Sequence, residues 1–164
     1  MLTESNSLKD QFRNVVEEAR MLLPGVQALL GFQTIAVFNQ RFTELAPLER
    51  NSHMVALTLV VVSVSLLMTP AAYHRIVEPH HVSEKTLAVT TLLICLSLLP
   101  LASALSLDFF VVLSLATHER ALSLGVGASA FFLLIALWFA FPLRERRKRF
   151  GHDAGTNNPT GRQT

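Results

Sequence analysis

The sequence predicts an all-α membrane protein with four transmembrane helices, preceded by a cytoplasmic amphipathic interfacial helix, and with both termini in the cytoplasm. Overall composition does not reveal this: 51% of the 164 residues are hydrophobic, against roughly 45–50% in soluble proteins. The position of the charges does reveal it. Four runs contain no Asp, Glu, Lys, Arg or His: 21–40, 54–73, 86–107 and 121–143. The segments between them carry very unequal numbers of Lys and Arg.

Each charge-free run is long enough to cross a bilayer as a helix. The runs have 20 to 23 residues, and about 20 residues cross a hydrocarbon core of about 30 Å. Lipid offers the backbone no hydrogen-bond partner, so each run must be helical. Residues 55–62 also lack the apolar–polar alternation of a membrane barrel strand. We therefore place the transmembrane domain at 21–143. Its predicted spans are 21–42, 53–73, 85–107 (or, as the alternative, to 116) and 121–143.

The N-terminal segment, residues 1–20, is predicted to contain a separate amphipathic helix. From Ser7 to Arg20, apolar residues recur at helical spacing opposite charged ones. Ser7 followed by Asp10 is typical of a helix start. We expect this helix to lie along the membrane surface or against the bundle before Pro24-Gly25 turns the chain into the first span. Binding to a partner protein is the alternative.

The distribution of Lys and Arg predicts the orientation, because these residues accumulate on the cytoplasmic side. Eleven lie in the N-terminal segment, the second connection and the C-terminal tail, whereas three lie in the first and third connections. Both termini should therefore be cytoplasmic. The tail, 144–164, begins with a basic run and continues into a polar segment that we expect to be disordered. We expect the basic run to contact anionic lipid, not nucleic acid, because it directly follows a span: Arg144, Arg146, Arg147, Lys148 and Arg149.

Small residues recur at every fourth position at the start of span four. Ala121, Gly125 and Ser129 form this stripe. Small side chains allow two helix backbones to approach closely in a membrane. We expect the stripe to pack within the bundle or to join two copies of the chain in a homo-oligomer.

Asp108 is the one acid that a span could carry into the bilayer. On a straight, upright helix from Lys85 it would lie roughly 34 Å away, near the outer interface. A tilt or a bend at Pro100 would bring it into the hydrocarbon region, where an acid is costly and is a candidate for moving protons or cations. An outer-interface residue that caps a helix or pairs with an arginine is the alternative. Gln27 and Gln33 in the polar first span could belong to the same pathway or could simply hold helices together.

A second polar group is expected at the cytoplasmic side of the bundle. Glu18 and Arg20 precede span one, and His74 and Arg75 end span two. Such a network could fix the bundle or gate a pathway. A metal site using His74, Glu78, His80 and His81 is disfavoured, because Pro79 interrupts the helix that would align them. We predict no metal, no cofactor and no enzymatic activity, since no phosphate loop, zinc spacing or nucleophile elbow is present.

Several blocks of the sequence resemble an uncharacterised family of small four-helix bacterial integral membrane proteins. The family is catalogued as a domain of unknown function, and its members are often named sodium:proton antiporter automatically. The resemblance covers roughly residues 10–149 and implies a four-helix fold in the bacterial inner membrane, without established catalytic residues. The blocks that carry it are Glu18-Ala-Arg20, Pro24-Gly25-Val26-Gln27, Gly31-Phe32-Gln33, Arg41-Phe42, Tyr73-His74-Arg75, Asp108 and Leu137-Trp138.

Two functions remain open at this point. The first is a multi-pass membrane protein with a structural, regulatory or assembly role. The alternative is a small oligomeric proton-coupled cation transporter that uses Asp108. The depth of Asp108 discriminates between them: burial beside Gln33 or another polar residue of a span favours transport, and exposure beyond the outer headgroups disfavours it.

Overall fold

A computed structural model describes residues 2–77 and 82–156, with side chains described for 7–77 and 82–148. This part of the chain is helical, and a π-helical turn, Ala136–Ala140, joins the last two helices. The helices are α1 (Leu2–Val37), α2 (Gln40–Thr43), α3 (Pro47–Val77), α4 (Glu84–Thr117), α5 (Arg120–Ile135) and α6 (Phe141–Thr156). The all-α class predicted from the sequence is thus confirmed.

Four stretches of helix are long and apolar enough to cross a membrane. These candidate spans are Ser7–Val37, Pro47–Val77, Glu84–Thr117 and Arg120–Lys148. Pro142 accounts for the π-helical turn in the last one. It has no N–H for the carbonyl of Trp138, and the N–H of Phe141 bonds the carbonyl of Ala136, five residues back. The helix continues beyond this turn through the basic run to Thr156, and the rest of the tail lies outside the described residues.

The centre of the fold is a line of contact between α3 and α4, which we call the α3–α4 seam. Buried residues recur every three or four positions on both helices, which is the spacing of two helices packed at a shallow angle. Many are small, so the backbones approach closely; the hydroxyl of Ser63 donates to the carbonyl of Ser97 at 2.9 Å. The seam consists of Glu49, His53, Ala56, Val60, Ser63, Leu67 and Pro70 on α3. On α4 it consists of Thr86, Thr90, Ile94, Ser97, Leu101, Ala104 and Val111.

Helix α1 lies against α3 and α4 from Phe12 to Gln33. The amphipathic segment and the first span form one continuous helix with Pro24 inside it, so the predicted interfacial helix is not a separate element. The reason is that the packed face does not change at Pro24. Phe12 and Val26 are both buried, and residues of the same stripe between them pack on the same core: Val15, Ala19 and Leu23. A proline removes one helical hydrogen bond, which packing on both sides of it can offset.

Helix α5 packs on a second face of α4 through Gly127. A β-carbon at Gly127 would lie 3.0 Å from Cβ of Phe110 and 3.2 Å from the carbonyl oxygen of Ser106. The predicted stripe of Ala121, Gly125 and Ser129 lies on another side of α5 and is exposed. At Gly125 a β-carbon would meet nothing within 4 Å. Packing of this stripe inside the bundle is therefore wrong, and contact between copies through it stays a prediction.

The two glycines of α5 provide a matched test of this packing. We expect Gly127→Ala to destabilise the protein by about 1–3 kcal/mol, because the added methyl group forces α5 away from α4. Gly125→Ala should not destabilise it, since alanine is the better helix former and the site is open. Thermal unfolding in detergent, followed by circular dichroism, measures both. Equal losses in the two variants would contradict the packing of α5 described here.

Candidate functional site

Three helices place one polar side chain each at the same end of the α3–α4 seam. Asp108 follows Leu101 and Ala104 on the seam face of α4, and His53 precedes Ala56 on α3. Gln33 comes from the packed face of α1 and is buried. We call Gln33, His53 and Asp108 the Asp108 site.

The three side chains of the Asp108 site contact one another directly. The amide nitrogen Nε2 of Gln33 donates to Oδ2 of Asp108. His53 Nε2 lies 3.0 Å from the backbone oxygen of Gln33, and Nδ1 of the same ring lies 3.4 Å from Oδ1 of Asp108. The side chains of His53 and Asp108 are 8% and 18% exposed, so water screens this contact little.

A proton between His53 and Asp108 makes these contacts favourable. A backbone oxygen can only accept, so Nε2 of His53 carries a hydrogen. If the ring carries no second hydrogen, Nδ1 presents a lone pair to the carboxylate of Asp108, and these two acceptors repel each other. The contact is favourable when one further proton resides on the imidazole or on Asp108. The pair is therefore a site for one proton.

Two buried oxygen atoms of the Asp108 site accept no hydrogen bond of good geometry, although Nδ1 of His53 lies 3.4 Å from one of them, Oδ1 of Asp108. They are Oε1 of Gln33 and Oδ1 of Asp108. Buried acceptors without a donor cost free energy, about 1–3 kcal/mol each, and their presence in a native fold requires an explanation. A ligand that brings donors or positive charge would satisfy both atoms.

A cavity of about 400 Å³ adjoins the Asp108 site. Asp108, His53 and Gln33 form its polar part, and Asn39 and Arg41 line it from the connection between α1 and α3. The remaining walls are apolar: Leu29, Phe32, Ala36, Phe42, Leu45, Val111, Val112 and Leu115. The aromatic ring of Phe42 also packs edge-on against His53, with centroids 5.5 Å apart. The size is that of a site for a small organic ligand.

A second buried carboxylate, Glu49, lies at the beginning of α3. Its Oε1 accepts from Nε of Arg120 at 2.9 Å and from the hydroxyl of Ser114 at 3.1 Å. The Glu49 side chain is 4% exposed and that of Arg120 is 59% exposed. Because Arg120 begins α5 and Ser114 lies near the end of α4, this ion pair ties three helices together. The connection into α5 is also held by His118, whose backbone adopts the left-handed conformation (φ 58°) and whose N–H bonds the carbonyl of Ser114.

The structure brings together some of the residues that the sequence proposed as functional. Gln33 and Asp108 are in contact. Gln27 is exposed on another side of α1, and no described side chain of the Asp108 site contacts it. The predicted metal ligands Glu78, His80 and His81 lie outside the described residues. Within 7–77 and 82–148, no three His, Cys, Asp or Glu side chains converge as metal ligands.

The predicted cytoplasmic network is not assembled by ion pairs among the described side chains. Glu18, Arg20 and Arg75 are exposed. His74 instead stacks on Phe12, with ring centroids 4.7 Å apart, which fastens the beginning of α1 to the end of α3.

Sequence reasoning missed His53 and Glu49. His53 directly precedes the charge-free run of span two, and Glu49 lies four residues earlier, in the first connection. The signal that identifies them is the spacing of the seam: continued backward from Ala56 in steps of three and four, it passes through His53 and Glu49.

The four long apolar candidate spans indicate an α-helical multi-pass membrane protein. Residues 3–142 match the family of unknown function DUF6328, and the chain belongs to this family. This confirms the resemblance to a family of unknown function with four long apolar helices. No curated protein matches the chain, and no solved structure does.

The ion pair of Glu49 predicts a specific pattern of stabilities. We expect Arg120→Ala to lower the free energy of unfolding by about 2 kcal/mol, because it leaves a buried carboxylate without its countercharge. Adding Glu49→Gln to that variant should recover part of the loss, since a neutral amide costs less to bury than an unpaired charge. Thermal unfolding of the single and double variants in detergent tests this. Losses that simply add would refute the coupling.

Proposed function

We propose that this chain is a small proton-coupled cation transporter in which Asp108 holds a proton and a cation in turn. The observation that carries the proposal is the buried contact of Asp108 with His53 and Gln33 beside an open cavity. The proton shared by His53 and Asp108 leaves the pair neutral or zwitterionic. Once that proton departs, the pair carries one negative charge, which a cation in the cavity can balance.

The depth of Asp108 supports this use of the residue. Helix α4 has 34 residues, which corresponds to about 51 Å. Asp108 is about 11 Å from the helix midpoint, whereas the hydrocarbon core extends about 15 Å on either side of its centre. Centred in a bilayer, α4 therefore holds Asp108 inside the hydrocarbon region. Ionisable groups at such depth are rare, and they are typical of ion and proton pathways.

Passage across the membrane requires that the α3–α4 seam open beyond the site. The seam is tightly packed there, with three fully buried side chains: Val60, Ser63 and Ser97. Three long helices contain a proline, at positions 24, 70 and 100. A proline leaves a carbonyl without its helical partner and is where a helix bends. Pro100 lies two turns from Asp108, so bending there would move the carboxylate relative to His53.

Flux measurements in vesicles test the proposal. Vesicles containing the purified protein and a pH gradient should take up sodium, or another cation, faster than empty vesicles. Asp108→Asn should reduce this flux to the level of empty vesicles, because an amide cannot release a proton. Asp10→Asn, at an exposed acid on α1, is the matched control and should keep the flux of the unaltered protein.

Two glutamines on α1 refine the same experiment. Gln33→Leu removes the amide that contacts Asp108, so we expect the flux to fall. Gln27→Leu alters an exposed side chain of the same helix and should leave the flux unchanged. A protein that folds normally but gives no cation-dependent flux above empty vesicles would reject the transporter.

An assembly or regulatory role is the second candidate function. The observation that favours it is the exposed stripe of Ala121, Gly125 and Ser129, with open space at Gly125. A stripe of this kind suits close contact with another transmembrane helix. The absence of flux, together with association that Gly125→Leu disrupts, would favour this role over transport.

The orientation is part of the proposal. We propose a bacterial inner-membrane protein with both termini in the cytoplasm, supported by the eleven-to-three distribution of Lys and Arg. The Asp108 cavity then faces the outer half of the bilayer, and the basic run on α6 meets anionic lipid on the cytoplasmic side. Its described members Arg144, Arg146, Arg147 and Lys148 are exposed.

Reporter fusions check this orientation. Alkaline phosphatase fused to either terminus should be inactive, because it requires export, and a cytoplasmic fluorescent reporter should be active at both. Phosphatase activity from the C-terminal fusion would overturn the proposed orientation and would place the cavity on the cytoplasmic side.

A further inference from the structure

The walls of the Asp108 cavity suit a cation with an apolar body better than a bare inorganic cation. Hard cations take six or more oxygen ligands. The Asp108 site offers the two carboxylate oxygens and Oε1 of Gln33, and most of the cavity wall is hydrocarbon, with Leu29, Phe42 and Val111 among its members. An inorganic ion would lose much of its hydration there and regain little of it.

The polar end of the same cavity calls for hydrogen-bond donors. Oε1 of Gln33 and Oδ1 of Asp108 are buried acceptors without partners. The amide nitrogen of Gln33 already donates to Oδ2 of Asp108, and Nε2 of His53 faces the backbone oxygen of Gln33. The remaining ring nitrogen, Nδ1 of His53, lies 3.4 Å from Oδ1 of Asp108, which is long for a hydrogen bond. A ligand group that satisfies this end therefore carries N–H or O–H hydrogens and a positive charge, which describes a protonated amine.

We infer that the Asp108 cavity binds a lipophilic monoamine: an apolar body that fills the hydrocarbon walls and one protonated amine that donates to Asp108 and Gln33. This rests on the proposed function, for which it names the class of cation. The cavity volume of about 400 Å³ accommodates an aromatic or alicyclic amine. Arg41, which also lines the cavity, disfavours a second positive charge on the ligand.

The position of the cavity gives such a ligand a route of entry. Phe32 and Val112, which line it, are 73% and 61% exposed. Both are on candidate spans, so the cavity opens at a lipid-facing side of the bundle. A lipophilic amine concentrates in the bilayer and can reach Asp108 from there without crossing water.

Binding of a matched set of probes to the purified protein in detergent tests the inference. The probes are 1-naphthylmethylamine, its N,N,N-trimethyl derivative, which has the charge without N–H donors, and 1-naphthalenemethanol, which has no charge. Naphthyl fluorescence anisotropy measures their affinities. We expect the amine to bind roughly 10–100-fold more tightly than the alcohol, from the strength of charge-assisted hydrogen bonds. The trimethyl derivative should bind less tightly than the amine.

Variants locate the binding. Asp108→Asn should lower the affinity for the amine about tenfold or more and should leave the affinity for the alcohol unchanged. Asp10→Asn should alter neither affinity. Val112→Trp should fill part of the cavity and lower the affinity for both the amine and the alcohol. Val61→Trp, at an exposed valine of α3 that does not line the cavity, should weaken neither and controls for the bulk of the new side chain.

The outcomes separate this inference from the proposed function. Equal affinity for amine and alcohol, or amine binding that survives Asp108→Asn, overturns the amine site. Sodium flux that depends on Asp108, together with no specific amine binding, would overturn the proposed amine site and would still support the transporter. The absence of both cation flux and amine binding would overturn the transporter and the amine site together.

Discussion

The structure depends on close contact between α3 and α4. Two helices in lipid gain little from hydrophobic association, because lipid tails are as apolar as leucine side chains, and packing and hydrogen bonds must hold them together. The α3–α4 seam meets that constraint with small side chains at its centre, of which Ala56, Ser63 and Ser97 are fully buried. Helix α1 covers the groove between the two, and α5 rests on the other face of α4 through Gly127. The packing of α1 therefore depends on both α3 and α4, and that of α5 depends on α4.

The chemistry of the seam changes along its length, and its ionisable residues are gathered at one end. Glu49 is a buried carboxylate and Asp108 a half-buried one, and their partners differ in kind. Glu49 pairs with an arginine, which never loses its charge under ordinary conditions, so its ion pair is permanent. Asp108 faces an imidazole, a group that can hold one proton or two. The same seam therefore contains one fixed ion pair, which joins helices, and one pair that can change its charge.

Much of the helical layout follows from the sequence, whereas the site follows only in part. Charge-free runs identify apolar helices because a charge in lipid is costly, and this does not depend on tertiary contacts. The packing of α1 does depend on them: Pro24-Gly25 looked like a break, but the stripe from Phe12 to Val26 continues through it. Burial of Gln33 against Asp108 required knowing which faces of two distant helices meet. His53 is overlooked when a span is ended at the first ionisable residue. The spacing of the packed face of α3, extended backward from Ala56, includes it.

Burial also explains how proton and cation movement would be coupled at Asp108. A carboxylate inside the hydrocarbon region is costly unless a donor or a positive charge pairs with it, so the empty, deprotonated site is disfavoured. Gln33 donates one hydrogen bond to the carboxylate, which offsets part of this cost and brings no charge. The proton can therefore leave readily only when a cation arrives to replace it. One-for-one exchange then needs no separate gate at the binding site, because the low dielectric around Asp108 already makes proton and cation depend on each other.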